Sequence, residues 1–162
     1  MTAGTFEPPR LLESGDNLSA FDSGVSELDD WLRRRALANQ LSGASRTYVL
    51  TSDSVVAGYY ALASGALSLA EAPGRIRRNM PDPIPVVVLA RLAIGTAWQG
   101  QGLGAALLRD AVVRCQGAAE IIGVRAVIVR AMSEDAKRFY LRYGFVPTTI
   151  DPMLLAFPLA AR

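Results

Sequence analysis

Histidine is absent from this chain, and cysteine occurs once. The first absence removes the commonest general base and the commonest metal ligand together. With Cys115 as the single cysteine there is no internal disulfide, and a zinc site is implausible, so no metal is expected. Apolar runs stop short of the roughly eighteen residues that cross a membrane, and no membrane contact is expected. The opening "MTAGTFEPPRLLESGD" lacks a basic start followed by an apolar stretch. No secretion signal is therefore expected, and the predicted compartment is the cytoplasm. Any catalysis must use carboxylates, tyrosine, serine, backbone amides or a bound cofactor.

Lysine is nearly missing too: of 17 basic residues, all but Lys137 are arginine. The net charge of +2 hides an asymmetry, because residues 1–30 hold seven acids against one arginine while the rest holds 16 basic and 8 acidic side chains. Arginines gather in "WLRRRA" (Arg33, Arg34, Arg35) and in "GRIRRN" (Arg75, Arg77, Arg78). A guanidinium donates two parallel hydrogen bonds and suits a phosphate backbone. Solvated helix faces carry the same pattern, and the sequence leaves both readings open. The length of 162 residues and the 51% hydrophobic content fit a single domain over residues 1–162. A domain of that size buries roughly two-thirds of its unfolded surface without help from disulfides or metals.

Along the chain, the start to about Ser19 reads as a loop with a short strand near "PRLLES". The stretch "FDSGVSELDDWLRRRALANQ" reads as one helix, capped by Asp22 or Ser23, with acids near its positive end. "RTYVLTSDSVVAGYYALASG" alternates around a polar break and predicts a hairpin, about Arg46–Thr51 and Val55–Ala63. A short helical turn and a proline-rich connector follow. "VVVLARLAI" predicts a central strand over Val86–Ile94. Next come a helix from about Gly102 to Ile122, a strand over about Ala126–Ala131, and a helix in "SEDAKRFYLRYG" capped by Ser133 and stopped by Gly144. One or two terminal strands close the chain. Cys115 falls on the apolar stripe of the long helix and reads as packing. The fold class expected is α/β (α+β), a central mixed, mostly antiparallel sheet flanked by helices.

Glycines crowd the segment "RLAIGTAWQGQGLGAALL", directly before a strong helix former. A helix start presents unpaired N–H groups and the positive end of its dipole, and glycine keeps side chains away from an incoming anion. The loop therefore suits a phosphate or pyrophosphate, although a bare tight turn has the same look. It is not a P-loop, since no Lys-Ser/Thr pair follows, and it lacks the full dinucleotide-binding fingerprint. Further on, "SEDAKRFYLRYGFVP" gives a helix ending in Phe-Tyr and then Tyr-Gly-Phe.

These two motifs, Gln-x-x-Gly-x-Gly (Gln99, Gly102, Gly104) after an apolar strand and the late "FYLRYGF", resemble the GNAT acetyltransferase superfamily. The longer run of "FDSGVSELDDWLRRRALANQ", "RTYVL", "VAGYYALASGAL", "PVVVLARLAI" and "QGQGLG" is similar to one branch of it, the toxins of type II toxin–antitoxin modules. The resemblance implies acetyl-CoA as co-substrate, the amino group of aminoacyl-tRNA as acceptor, and arrest of translation. It also implies a ribbon-helix-helix antitoxin, DNA contact only through that antitoxin, and a homodimer.

Residue by residue, the resemblance implies that Gln99, Gly100, Gln101, Gly102, Leu103, Gly104 and Ala105 bind the cofactor, with the pyrophosphate on backbone N–H groups from Gln101 to Ala105. The pantetheine arm would lie beside Leu92, Ala93 and Ile94. Tyr140 would be the general acid at the CoA sulfur, because a phenol keeps its proton at neutral pH. Tyr143 would pack or line the CoA channel, and the two phenols leave exchanged roles open. Ser133 and Lys137 could touch CoA, but capping and exposure also explain them. Arg91 interrupts an apolar strand, so it must meet a carboxylate or face the cleft. An arginine occupies this place in the toxin branch, which implies tRNA contact there. Arg75, Arg77 and Arg78 follow as tRNA candidates, then Arg33 and Arg34 with Arg35 beside them.

No carboxylate stands out as a base. An α-amino group of pKa about 7.7–8.0 is partly neutral already, whereas lysine near 10.4 needs more help, which favours α-amines. Two other functions compete: acetylation of a small amine such as a polyamine or antibiotic, and a non-catalytic acyl-CoA-binding regulatory module. An acidic acceptor pocket would mark the first, and absence of turnover the second.

Overall fold

The computed structural model describes residues 5–159. In chain order the elements are β1 (Arg10–Leu11), α1 (Ser26–Arg34), α2 (Ala36–Ser42), β2 (Arg46–Ser52), β3 (Val55–Leu67), α3 (Gly74–Arg77), β4 (Ile84–Ile94), α4 (Leu103–Ala119), β5 (Ala126–Arg130), α5 (Glu134–Arg142), β6 (Val146–Pro147) and β7 (Leu154–Pro158). The strands form a seven-stranded sheet in the order β1-β2-β3-β4-β5-β7-β6, which puts β4 at its centre as expected. β4 and β5 pair in parallel, while β1/β2, β2/β3, β5/β7 and β6/β7 pair antiparallel. The mixed, mostly antiparallel α/β sheet with flanking helices is therefore present. No helix among the described residues is long and apolar enough to cross a membrane.

The chain packs as two compact units. One comprises the described residues up to Ala63 together with Arg91–Ala111, and the other Ser64–Ala90 together with the described residues from Val112 onward. In the first, Leu28, Leu32 and Ala36 of the two leading helices bury against Val49, Tyr59 and Ala93. In the second, Ile76 and Leu67 bury with Val86, Ile128 and Ala156.

The single helix expected over the "FDSG…LANQ" stretch is two helices. Arg35, at φ −120° and ψ −32°, leaves helical geometry between them. Neither glycine nor proline marks this break, so the sequence hid it. The cap also differs: Val25 occupies the N-cap and offers no side-chain hydrogen bond. Instead the buried carboxylate of Asp29 reaches back and accepts from the Ser23 amide at 3.1 Å and the Ser23 hydroxyl at 2.6 Å. The loop before α1 is thus fastened from inside the helix rather than capping it from outside.

The β2–β3 hairpin turns on Asp53 and Ser54, at φ 50° and 64°, the paired left-handed residues that a tight hairpin turn needs. β3 continues to Leu67, past the expected end at Ala63. α4 ends at Ala119, before the expected Ile122, and Ile121 and Ile122 stand exposed beyond it. α5 is capped by Ser133, whose hydroxyl accepts from the Ala136 amide at 3.1 Å, as the sequence indicates.

Gly58 in β3 marks the tightest packing near the end of β4. A Cβ there would lie 2.7 Å from Ile94 Cδ1, 3.0 Å from Leu107 Cδ1 and 3.1 Å from the Ala93 carbonyl oxygen. Leucine and isoleucine tips can shift, but the backbone oxygen cannot move alone. Gly58→Ala should cost about 1–3 kcal/mol, the usual range for overpacking. In a thermal melt that is a fall of about 2–4 °C per kcal/mol. Gly15→Ala, where a Cβ meets nothing within 4 Å, should melt with the wild type.

Candidate active site

The glycine loop singled out by the sequence lies where β4 runs into α4. The Gly95 amide donates to Ala57 O (2.8 Å) and the Thr96 amide to Asp22 O (2.7 Å), which pin the chain as it leaves the strand. A 3-10 turn over Thr96–Trp98 follows. Gly100 and Gly102 then adopt φ of +80° and +81°, conformations that L side chains rarely adopt. Nothing lies within 4 Å of a Cβ at either position, so the loop surface is open. α4 begins with the Ala106 amide donating to Gly102 O (3.2 Å). The N–H groups of Leu103, Gly104 and Ala105 precede that bond and point out of the helix at the positive end of its dipole. Such an end is suited to an anion.

Gln99, expected to bind the cofactor, has its side chain engaged within the protein. Its side-chain amide donates to Ser23 O (2.9 Å) and Ile94 O (2.8 Å), so both of its donors serve protein carbonyls rather than a ligand. It joins the end of β4 to the loop that Asp29 holds from α1. The pairing was invisible in sequence because the two residues lie 76 positions apart.

On α1 the structure assembles a second group that the motifs did not announce. Tyr59 is fully buried, and its hydroxyl donates to Leu28 O at 2.7 Å. The Trp31 ring lies parallel to Tyr59, at 10° and 6.0 Å between centroids. Over Trp31 sits Arg91, with its guanidinium carbon 4.9 Å from the ring centroid. A contact of this kind contributes about 0.5–1 kcal/mol when exposed and about 2 when desolvated. The expected choice for Arg91 between a carboxylate and an open cleft therefore missed this aromatic partner. The neighbouring arginines differ in freedom. Arg33 donates to Phe21 O (2.8 Å) and Asp30 (3.2 Å), while Arg34 and Arg35 are exposed.

In the other unit, Tyr140 and Tyr143 lie at the end of α5. Tyr140 is 7% exposed, packed edge-on against Phe139 and tilted against Phe145 at 5.4 Å. Burial pushes its pKa up to about 12, so the phenol keeps its proton across the physiological range. Tyr143 is 42% exposed and touches Phe139 edge-on. Ser133 is committed to its cap. Arg75, Arg77 and Arg78 are exposed on and after α3, and Arg125 braces that turn by donating to Ile76 O (3.2 Å) and Arg75 O (3.0 Å).

Cys115 is 1% exposed, and burial lifts its thiol to about 11, so it packs rather than attacks. No group of three or more His, Cys, Asp or Glu that could hold a metal occurs among the described residues.

Residues 19–153 match the family described as acetyltransferase (GNAT) domain. The chain is 49% identical over 150 residues to a tRNA-acetylating toxin of Mycobacterium tuberculosis, covering 93% of this chain and 90% of that protein. Among solved structures it is similar to AtaT complexed with acetyl-methionyl-tRNAfMet, with TM-score 0.86, 30% identity and coverage of 95% and 94%. It is also similar to a tyrosine-to-phenylalanine mutant of AtaT bound to the C-terminus of the antitoxin AtaR and acetyl-CoA. There the TM-score is 0.79, the identity 29% and the coverage 97% and 94%.

Proposed function

The chain belongs to the GNAT acetyltransferase family, and on that premise we propose that it moves the acetyl group of acetyl-CoA to the α-amino group of aminoacyl-tRNA and so stops translation. The observation that carries this reading is the likeness to a tRNA-acetylating toxin across 93% of the chain. The loop before α4, open and aimed for an anion, supports it.

Acetyl-CoA rests its pyrophosphate on the N–H groups of the Gly100–Ala105 loop, with the backbone rather than the side chain of Gln99 available to it. Register between β4 and β5 covers only Val86–Val88 and Ala126–Ile128, although β4 continues to Ile94 and β5 to Arg130. The pantetheine arm takes its place along this later part of β4, beside Leu92, Ala93 and Ile94. A backbone N–H of the same strand polarises the acetyl carbonyl.

The neutral amine attacks the carbonyl carbon, and its surplus proton leaves to water. As the C–S bond breaks, Tyr140 donates to the sulfur. Full transfer from a phenol near 12 to a thiolate of ordinary pKa about 8.5 runs uphill. The main contribution is therefore a hydrogen bond to charge developing on sulfur. The thiolate then takes its proton from water, which balances the one released by the amine, and Tyr140 keeps its own. Tyr143 lines the cofactor channel, and Ser133 acts only by holding α5.

Arg91, Arg75, Arg77, Arg78 and Arg34 meet the tRNA backbone, with Arg33 contributing less because it already serves Phe21 O. The protein works in the cytoplasm as a homodimer. A ribbon-helix-helix antitoxin silences it and brings it to DNA.

Labelled acetyl-CoA and bulk aminoacylated tRNA test this. Label should enter the RNA at a rate that rises about tenfold per pH unit below the amine pKa of about 7.7–8.0 and then levels. Initial rates corrected for base cleavage of the aminoacyl ester should show no fall by pH 9.5, because burial holds the Tyr140 phenol up to about 12. Unlabelled RNA rejects the function, and a decline before pH 9.5 rejects Tyr140 as the donor.

A further inference from the structure

Arg91 is the sole charge in the β4 run "IPVVVLARLAI", and Trp31 lies directly against it. Each layer beneath that contact is fixed before Arg91 is reached. Asp29 ties the start of α1 to Ser23, and Gln99 ties Ser23 to the end of β4. Tyr59 is held by its hydrogen bond to Leu28 O and by the edge of Phe21 at 5.7 Å. Trp31 stacks on Tyr59, and the guanidinium lies over Trp31. A guanidinium recognises phosphate through parallel N–H donors in one plane, so rotation of that plane loses the match.

We propose that Trp31 is a positioning residue for the acceptor: its ring sets the plane of the Arg91 guanidinium so that Arg91 meets a phosphate of the tRNA acceptor end. This rests on the tRNA reading above and adds a residue that takes part only through Arg91. Trp31 has no direct bond to substrate in this account. A mere core residue would be replaceable by any apolar side chain of similar size, whereas a positioning ring needs an aromatic face.

Initial-rate kinetics on aminoacylated tRNA at several salt concentrations separate the two. Trp31→Leu keeps apolar bulk and removes the ring. It should raise KM for the tRNA about fivefold, as weakening of a charge-assisted hydrogen bond would. The kcat and the KM for acetyl-CoA should stay within about twofold, the pattern of lost uniform binding. The slope of log KM against log salt should flatten by about 0.7, the share of one phosphate contact on a single strand. Arg91→Gln should do the same, and the double variant should be no worse than Arg91→Gln alone. Trp31→Phe should return KM to within about twofold of wild type, because it restores a face for the cation. Should Trp31→Leu unfold, Trp31→Met, whose flexible chain adapts to an irregular gap, takes its place.

Effects of Trp31→Leu and Arg91→Gln that add in full overturn the proposal, as does Trp31→Phe failing as badly as Trp31→Leu. An unchanged KM in Trp31→Leu overturns it as well. If Arg91→Gln alone changes neither KM nor slope, the proposal falls while acetylation of tRNA stands. If wild type transfers no acetyl to tRNA, both fall together.

Discussion

Tyr140→Phe will lower kcat by about a hundredfold or more while leaving the fold and acetyl-CoA affinity in place. A positioned acid contributes roughly 10²–10⁴ in rate, and a hundredfold is about 2.7 kcal/mol of barrier. The substitution removes one oxygen from a side chain that is 7% exposed. Packing against Phe139 and Phe145 survives, since the ring remains. Loss of activity without loss of melting temperature would therefore identify the hydroxyl as chemical rather than structural. Tyr143→Phe is the matched comparison. Its ring is 42% exposed, and its loss of kcat should stay below about threefold. A larger loss at Tyr143 than at Tyr140 would exchange their roles.

The second large effect is expected at Gly102. Gly102→Val places a β-branched residue at φ +81°, a genuine outlier for such a side chain. Strain of about 1–2 kcal/mol follows, because Cβ crowds the following carbonyl. Nothing lies within 4 Å of that Cβ, so the fold itself is not crowded. The chain can relieve the strain by rotating the loop, which turns the N–H groups of Leu103–Ala105 away from the pyrophosphate. Alternatively it can keep the loop and stand an isopropyl group where the phosphates come. Either way acetyl-CoA affinity should fall about tenfold or more, with a melting temperature only a few degrees lower. Calorimetric titration with acetyl-CoA measures this. Wild-type affinity in Gly102→Val would move the pyrophosphate off this loop.

How far the sequence could be read depended on how local each feature was. The glycine loop, the Ser133 cap and the tight hairpin turn are set by residues within a few positions of one another, and all three are where the pattern put them. The break at Arg35 was missed because α1 and α2 meet without glycine or proline. The side-chain contacts of Gln99 could not be read, because its amide reaches Ser23, 76 positions away, as well as Ile94. Trp31 carried no motif of its own within the stretch read as one helix. Its partner Arg91 lies on a distant strand, and no spacing rule joins the two. Tyr140 is buried and Tyr143 exposed, a difference that sequence alone could not give, since both are phenols at the end of one helix.

The most direct measurement follows the acetyl label after transfer. Aminoacyl-tRNA treated with the protein and labelled acetyl-CoA is exposed to mild base, which cleaves the aminoacyl ester. On this account all the label leaves the RNA as N-acetyl amino acid, and deacylated tRNA takes up none. Label that stays on the RNA, or that reaches polyamines while aminoacyl-tRNA remains bare, would contradict it.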